Sequence, residues 1–236
     1  RLLQWTLNVG GREREVIHWP DDADHSRLHK VRGGNPILFP FSARTFCDGE
    51  IGFWRGPDKV KRPMQMHGYA RNGDFELVHA DESGFCARFL PSEACREAYP
   101  FEYAFDVSYR FSDLELTVDL TLTNEGDKPL PWSAGHHFYF RLPWLEGTSR
   151  KDYRIEIPAK KALRQQGDGS LAPEDSFSVE TSFDDPALSD RIHCRLKKNS
   201  VHFGSKNDEE QVTVWIGDTT PPPPWNSIVT WTMDDD

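Results

Sequence analysis

Between Phe101 and Leu122 the sequence alternates so strictly that few local structures fit it. Phe101, Tyr103, Phe105, Val107, Tyr109 and Phe111 take every second position, and after Ser112-Asp113 the pattern resumes as Leu114, Leu116, Val118, Leu120 and Leu122. Successive side chains of a strand point to opposite faces, so a period of two gives each run one apolar face. Two such runs joined by two turn-prone residues predict an antiparallel hairpin, turning at Ser112-Asp113 and half buried on one side.

The rest of the chain repeats this theme in shorter pieces. Leu2 to Trp19, broken by Asn8 and Gly10-Gly11, reads as an opening hairpin, and Gly33 to Phe41 as an apolar wall stiffened by Pro36 and Pro40. Strands are expected at 153–157, 212–216 and 227–232. Asp48 to Arg62 reads as a loop, Asn124 to Asp127 as a turn, Pro129 to Trp132 as a return to the sheet, and Pro221 to Pro224 as a stiff connector. Only Ser92 to Ala98 suggests a helix, with Ser92 as its N-cap. Many strands, many turns and scarcely any helix predict an all-β sandwich of large antiparallel sheets, with a barrel as the alternative.

Composition narrows the partners. With 236 residues, 37% of them hydrophobic, and no Ser/Gly-rich or charge-block linker, one domain over 1–236 is expected. The 28 Lys and Arg stand against 38 Asp and Glu, a net charge of -10 that works against nucleic acid and anionic membranes as partners. No apolar run approaches the ~18 residues of a membrane span. Cys47, Cys86, Cys95 and Cys194 have no C-x-x-C spacing, which excludes a zinc ribbon and favours a reduced, cytoplasmic setting.

The chemistry-bearing residues are histidines and arginines. His136 and His137 interrupt the apolar run Gly135 to Phe140, and by strand alternation His136 shares a face with Phe138 and Phe140 while His137 shares the other with Tyr139. Only one of them can look into a given pocket. His67 precedes Gly68, a pairing that lets a ligand approach the backbone. Arg44 follows the apolar wall as a forked donor, and Arg71 lies four residues after His67; spacing alone leaves open whether Arg71 serves a ligand or pairs with a carboxylate. His25 and His29 read as solvated, and Phe183 to His193, with three carboxylates around Pro186, as a solvated turn.

Three segments taken in order resemble the aldose 1-epimerase (galactose mutarotase-like) family: Gly33-Gly34-Asn35-Pro36-Ile37-Leu38-Phe39-Pro40, His67-Gly68-Tyr69-Ala70-Arg71-Asn72, and Gly135-His136-His137-Phe138-Tyr139-Phe140. The long hairpin between the second and third matches too. The resemblance implies a β-supersandwich with a sugar site and a cofactor-free, metal-free reaction that interconverts α and β anomers of a hexose. By position, His137 resembles the histidine that protonates the ring oxygen and His67 the second histidine that helps hold it. Arg44 resembles the substrate-binding arginine and Asp190 the aspartate that binds sugar hydroxyls, with Arg71 a further candidate for the substrate.

The family's base is a glutamate in a Glu-Pro-Trp-like segment near the C-terminus, and no glutamate follows Glu210 here. The chain is therefore expected to lack the natural C-terminal segment, and no base is assigned. A non-catalytic sugar-binding module on the same fold competes with the enzyme reading. Hexose 6-phosphate, held by Arg44, Arg71 or Arg141, is the substrate alternative. A metal site built from His67, His136 and His137 is weaker, because adjacent strand histidines face opposite ways.

Overall fold

The computed structural model describes residues 1–207 and 210–233. Contacts divide the chain into two compact units, Arg1–Arg141 and Leu142–Asp236. Every pairing between strands in either unit is antiparallel, as the all-β reading requires.

The first unit opens with the hairpin of β1 (Trp5–Val9) and β2 (Arg12–Ile17). The apolar wall contributes β3 (Ile37–Leu38). The segment read as a loop instead forms two small hairpins, β4 (Phe46–Cys47) with β5 (Glu50–Ile51) and β6 (Phe53–Arg55) with β7 (Lys61–Pro63). Then follow β8 (Asp74–Asp81), β9 (Gly84–Leu90), the helix α1 (Glu93–Ala98), β10 (Tyr103–Phe111), β11 (Leu116–Asn124) and β12 (Gly135–His136). The Ser92 side chain accepts from the Cys95 N–H, so the predicted cap is present.

Strands β10 and β11 are the expected hairpin, at the end of a four-stranded sheet ordered β11-β10-β9-β8. The turn differs from expectation. Phe111 pairs with Leu116 and the Ser112 N–H donates to Glu115 O, which makes Asp113-Leu114 the two-residue loop and leaves Leu114 65% exposed. Both registers keep the apolar residues on one face; the observed one also sets Arg110 against Asp119 at 2.8 Å on the other.

Phe39 joins this sheet to the wall. It is fully buried and stacks on Phe105 at 4.0 Å between centroids, with Tyr99, Tyr103 and Phe89 around it. Its carbonyl accepts from both the Tyr69 and Ala70 N–H groups, at 2.8 and 3.1 Å, which ties the His67 segment to the same core. Pro129 to Trp132 forms no strand. Pro129 and Pro131 have no N–H to give a ladder, and pairing resumes only where Ser133 bridges Phe41.

In the second unit, β13 (Tyr153–Glu156), β14 (Ala159–Gln165), β15 (Leu171–Pro173), β16 (Glu180–Ser182), β17 (Arg191–Leu196), β18 (Ser200–Ser205), β19 (Gln211–Trp215) and β20 (Ser227–Thr230) build two sheets. Their orders are β16-β13-β18-β19 and β15-β14-β17-β20. Tyr153, Ile155, Val201 and Phe203 alternate inward on the first. The segment read as a solvated turn is partly interior: Leu188, Arg191 and His193 are buried. No helix among the described residues is long and apolar enough to cross a membrane.

Candidate active site

The two-histidine strand is positioned by the wall. Gly135 and His136 pair with Leu38 and Ile37, the Tyr139 N–H donates to Gly34 O, and Phe140 bridges Ile17. This extended course separates the two rings as alternation predicts. His137 stacks on Tyr139 at 4.8 Å, while His136 stacks on Phe138 at 5.2 Å.

His67 reaches the same place from a turn. The Gly68 N–H donates to Gln65 O, placing His67 at the third position of the turn with φ +68, a left-handed conformation that a non-glycine residue adopts only when its surroundings enforce it. Ala43 supplies the enforcement. The His67 N–H donates to Ala43 O at 2.8 Å and the Ala43 N–H donates to His67 Nδ1 at 3.1 Å. Since Nδ1 accepts, the neutral ring carries its proton on Nε2. The result is that the His67 and His137 rings meet edge to face, centroids 5.4 Å apart and planes 88° apart.

Asn35 holds this arrangement from beneath. It is fully buried, and its Oδ1 accepts from the His137 N–H at 3.2 Å, which identifies the other terminal atom as the amide nitrogen. That nitrogen donates to Tyr109 OH at 3.3 Å and to His136 Nδ1 at 3.2 Å. One side chain therefore fixes the backbone of one histidine and the tautomer of the other. Asn35 sits inside the first of the three resembling segments, and the resemblance gives it no role. The available signal was its place between a glycine pair and Pro36, where a polar residue entering an apolar wall needs internal partners.

Burial and nearby cations set the electrostatics of the pair. Burial lowers the His67 pKa to about 4, with the His137, Arg71 and Arg44 charges adding to the effect. Burial also lowers that of His137, and Arg71 and Arg1 act in the same sense. His137 Nδ1 is buried without a hydrogen-bond partner among the described residues. Arg71 donates to His29 O at 3.0 Å, and Arg44, next in sequence to Ala43, is exposed; neither forms an ion pair among the described residues. Arg141 is engaged elsewhere, with His18 at 3.1 Å and Glu15 at 3.9 Å.

The first unit thus brings together His67, His137, Arg44 and Arg71. His136 lies on the other face of its strand with its Nδ1 occupied, which leaves the three-histidine metal arrangement without geometry. Asp190 belongs to the second unit, where it is exposed at φ +55 immediately before β17.

The family model for aldose 1-epimerase matches residues 1–228. Two curated relatives, the plasmid and chromosomal forms of protein LacX from Lactococcus lactis, are 26% and 28% identical over 131 and 128 residues, covering 53% of this chain. The chain spans less than half of their length, 42% of each. Among solved structures, a galactose mutarotase-like protein from Lactobacillus casei superposes with a TM-score of 0.70 at 18% identity, over 98% of this chain and 84% of its own. A galactose mutarotase related enzyme from Lactobacillus acidophilus gives 0.67 at 21% identity, over 90% of this chain and 77% of its own. These likenesses fix the fold as galactose mutarotase-like. With the wall, the His67 turn and the two-histidine strand all inside the matched span, the chain belongs to the aldose 1-epimerase family.

Proposed function

We propose that the protein is a mutarotase, interconverting the α and β anomers of a hexose by acid/base ring opening and closure. The observation that carries this reading is the edge-to-face convergence of His67 and His137 beside Arg44 and Arg71. Ring opening removes the anomeric hydroxyl proton, protonates the ring oxygen and breaks the bond between that oxygen and C1. Rotation about C1–C2 and the reverse steps then give the other anomer. In this scheme His137 is the acid at the ring oxygen, and the neutral His67 donates its Nε2–H to the same atom. Arg44 and Arg71 bind the sugar's hydroxyls. The base is left unassigned.

A lowered pKa makes an imidazolium a stronger acid but a scarcer one. His137 acting as imidazolium is therefore most effective on the acidic side of neutrality. The four cysteines are unpaired, in keeping with a cytoplasmic setting as part of the same proposal.

A second reading is favoured by the arginines. Arg44 and Arg71 beside the histidines, with no ion pair among the described residues to neutralise them, suit a hexose 6-phosphate as well as a neutral sugar. Two-dimensional exchange NMR on galactose, glucose and glucose 6-phosphate tests all of this together. Acceleration of anomer exchange over buffer supports the enzyme, and the preferred sugar decides between the substrates. Saturable binding without acceleration would replace the enzyme by a sugar-binding protein.

A further inference from the structure

Two guanidiniums of the first unit close on one short turn. The 3-10 segment His25–Lys30 and the residue after it offer three carbonyls to arginines. Arg1 Nη1 donates to Leu28 O at 2.9 Å and to Val31 O at 3.3 Å, and Arg71 Nη2 donates to His29 O at 3.0 Å. The two charges act on one another: burial first, and the Arg71 charge second, push the Arg1 guanidinium below its ordinary value. Both charges also act on His137 and on Tyr139, whose rings stack at 4.8 Å.

No carboxylate answers this charge. Neither Arg1 nor Arg71 forms an ion pair among the described residues, although the chain carries 38 Asp and Glu against 28 Lys and Arg. Arg1 Nε and Nη2 are moreover buried without a hydrogen-bond partner among the described residues. Buried polar groups are nearly always paired, and a charged donor is the most costly to leave alone. These two nitrogens form one edge of the guanidinium fork, whose parallel N–H groups match two oxygens of a single anion. Arg88 shows that match in the same unit, its Nε and Nη2 donating to the two carboxylate oxygens of Asp106 at 2.8 Å each. Arg1 offers the same edge, steadied by its Nη1 bonds to the turn.

We propose that the Nε–Nη2 edge of Arg1, with Arg71 beside it, receives an anionic group of the substrate, so that the histidine site takes an acidic sugar. The proposal rests on reading the His67–His137 pair as a sugar site. The placement suits the chemistry, since a substituent on C5 of a pyranose lies next to the ring oxygen, the atom given to His137. The group is the carboxylate of a hexuronate or the phosphate of a hexose 6-phosphate, either of which offers two oxygens to one edge. Both Arg1 nitrogens are covered, so binding includes a local rearrangement around that side chain.

The test is NMR titration of the whole chain with galacturonate, glucuronate and glucose 6-phosphate, beside neutral galactose and glucose. The native protein is compared with Arg1→Gln and Arg1→Lys, each checked for folding by circular dichroism. At least one acidic sugar is expected to bind ~10- to 100-fold more tightly than its neutral parent, and Arg1→Gln should cut that ratio ~10-fold or more. Arg1→Lys should keep only part of the ratio, because an ammonium supplies the charge without the fork. Glucuronate against glucose 6-phosphate decides whether the group is carboxylate or phosphate. If Arg1→Gln does not fold, the reduced ratio in Arg1→Lys carries the test. Equal binding of acidic and neutral sugars by the native protein would overturn the proposal and leave the sugar site standing. A ratio unchanged in Arg1→Gln, including one preserved while all sugars bind more weakly, would overturn it as well, and a full ratio in Arg1→Lys would overturn the forked pairing. Binding of none of these sugars would remove the sugar site itself, and the proposal with it.

Discussion

His137 combines an unpartnered buried nitrogen with a ring wedged between Tyr139 and His67, and a side chain so placed is defined by what it can exchange with a ligand. Its replacement by alanine is expected to slow anomer exchange ~100-fold or more while sugar binding survives in part. His67→Asn should be milder, because an amide still donates a hydrogen bond. The sign of the pH effect follows from the direction of the shift. With the acid's pKa below the ordinary 6.5, kcat/KM falls as pH rises through a value on the acidic side of 6.5. Removing a depressing cation by Arg71→Gln moves that limb toward 6.5, and a shift the other way would show that Arg71 does not act on the acid. Asn35→Ala leaves Tyr109 OH and the imidazole of His136 without their buried donor, and should cost ~1–3 kcal/mol in urea unfolding.

At the scale of elements, the legible parts of the fold were those whose side chains alternate. The Phe101 to Leu122 hairpin, the opening hairpin and the strands near 153, 212 and 227 were all visible as period-two or β-branched runs. Strand β14 was not: Ala-Lys-Lys-Ala-Leu-Arg-Gln carries no β-branched residue, and its strand form follows from pairing on both sides with β15 and β17. Likewise β8 and β9 do not alternate cleanly; β9 is held by its register with β10, and β8 by its register with β9. In the site, His67-Gly68 and the histidine pair could be found from sequence, whereas the Ala43 clasp and the Asn35 hub depend on contacts between distant segments. Gly68 shows how closely those segments approach. At φ +72, a Cβ there would lie 2.1 Å from Phe39 O, on the bridge that ties the His67 turn to the core. Gly68→Ala is expected to destabilise the protein by ~2 kcal/mol or more and to disturb sugar binding, measured by thermal unfolding and NMR titration.

For the whole molecule, acid sensitivity is set by histidines as much as by the net charge of -10. Burial lowers His67, His136 and His193 each to about 4 from an ordinary 6.5. The unfolded chain then binds protons in a range where the folded chain does not, so the stability that these groups confer is complete above 6.5 and is lost as pH falls toward 4. His193, only 2% exposed, can account for ~3 kcal/mol of that loss. Urea midpoints measured from pH 7.5 to 4.5 should therefore decline, and His193→Gln should flatten the decline.

The proposed function stands or falls with the His67–His137 pair opening a sugar ring. Exchange NMR of α and β anomers, run with galactose, glucose and glucose 6-phosphate on the protein and its His137→Ala variant at equal concentration, tests it most directly. Exchange faster than in buffer is expected for at least one of these sugars, with that acceleration falling ~100-fold in the variant. Equal acceleration by both proteins would contradict it.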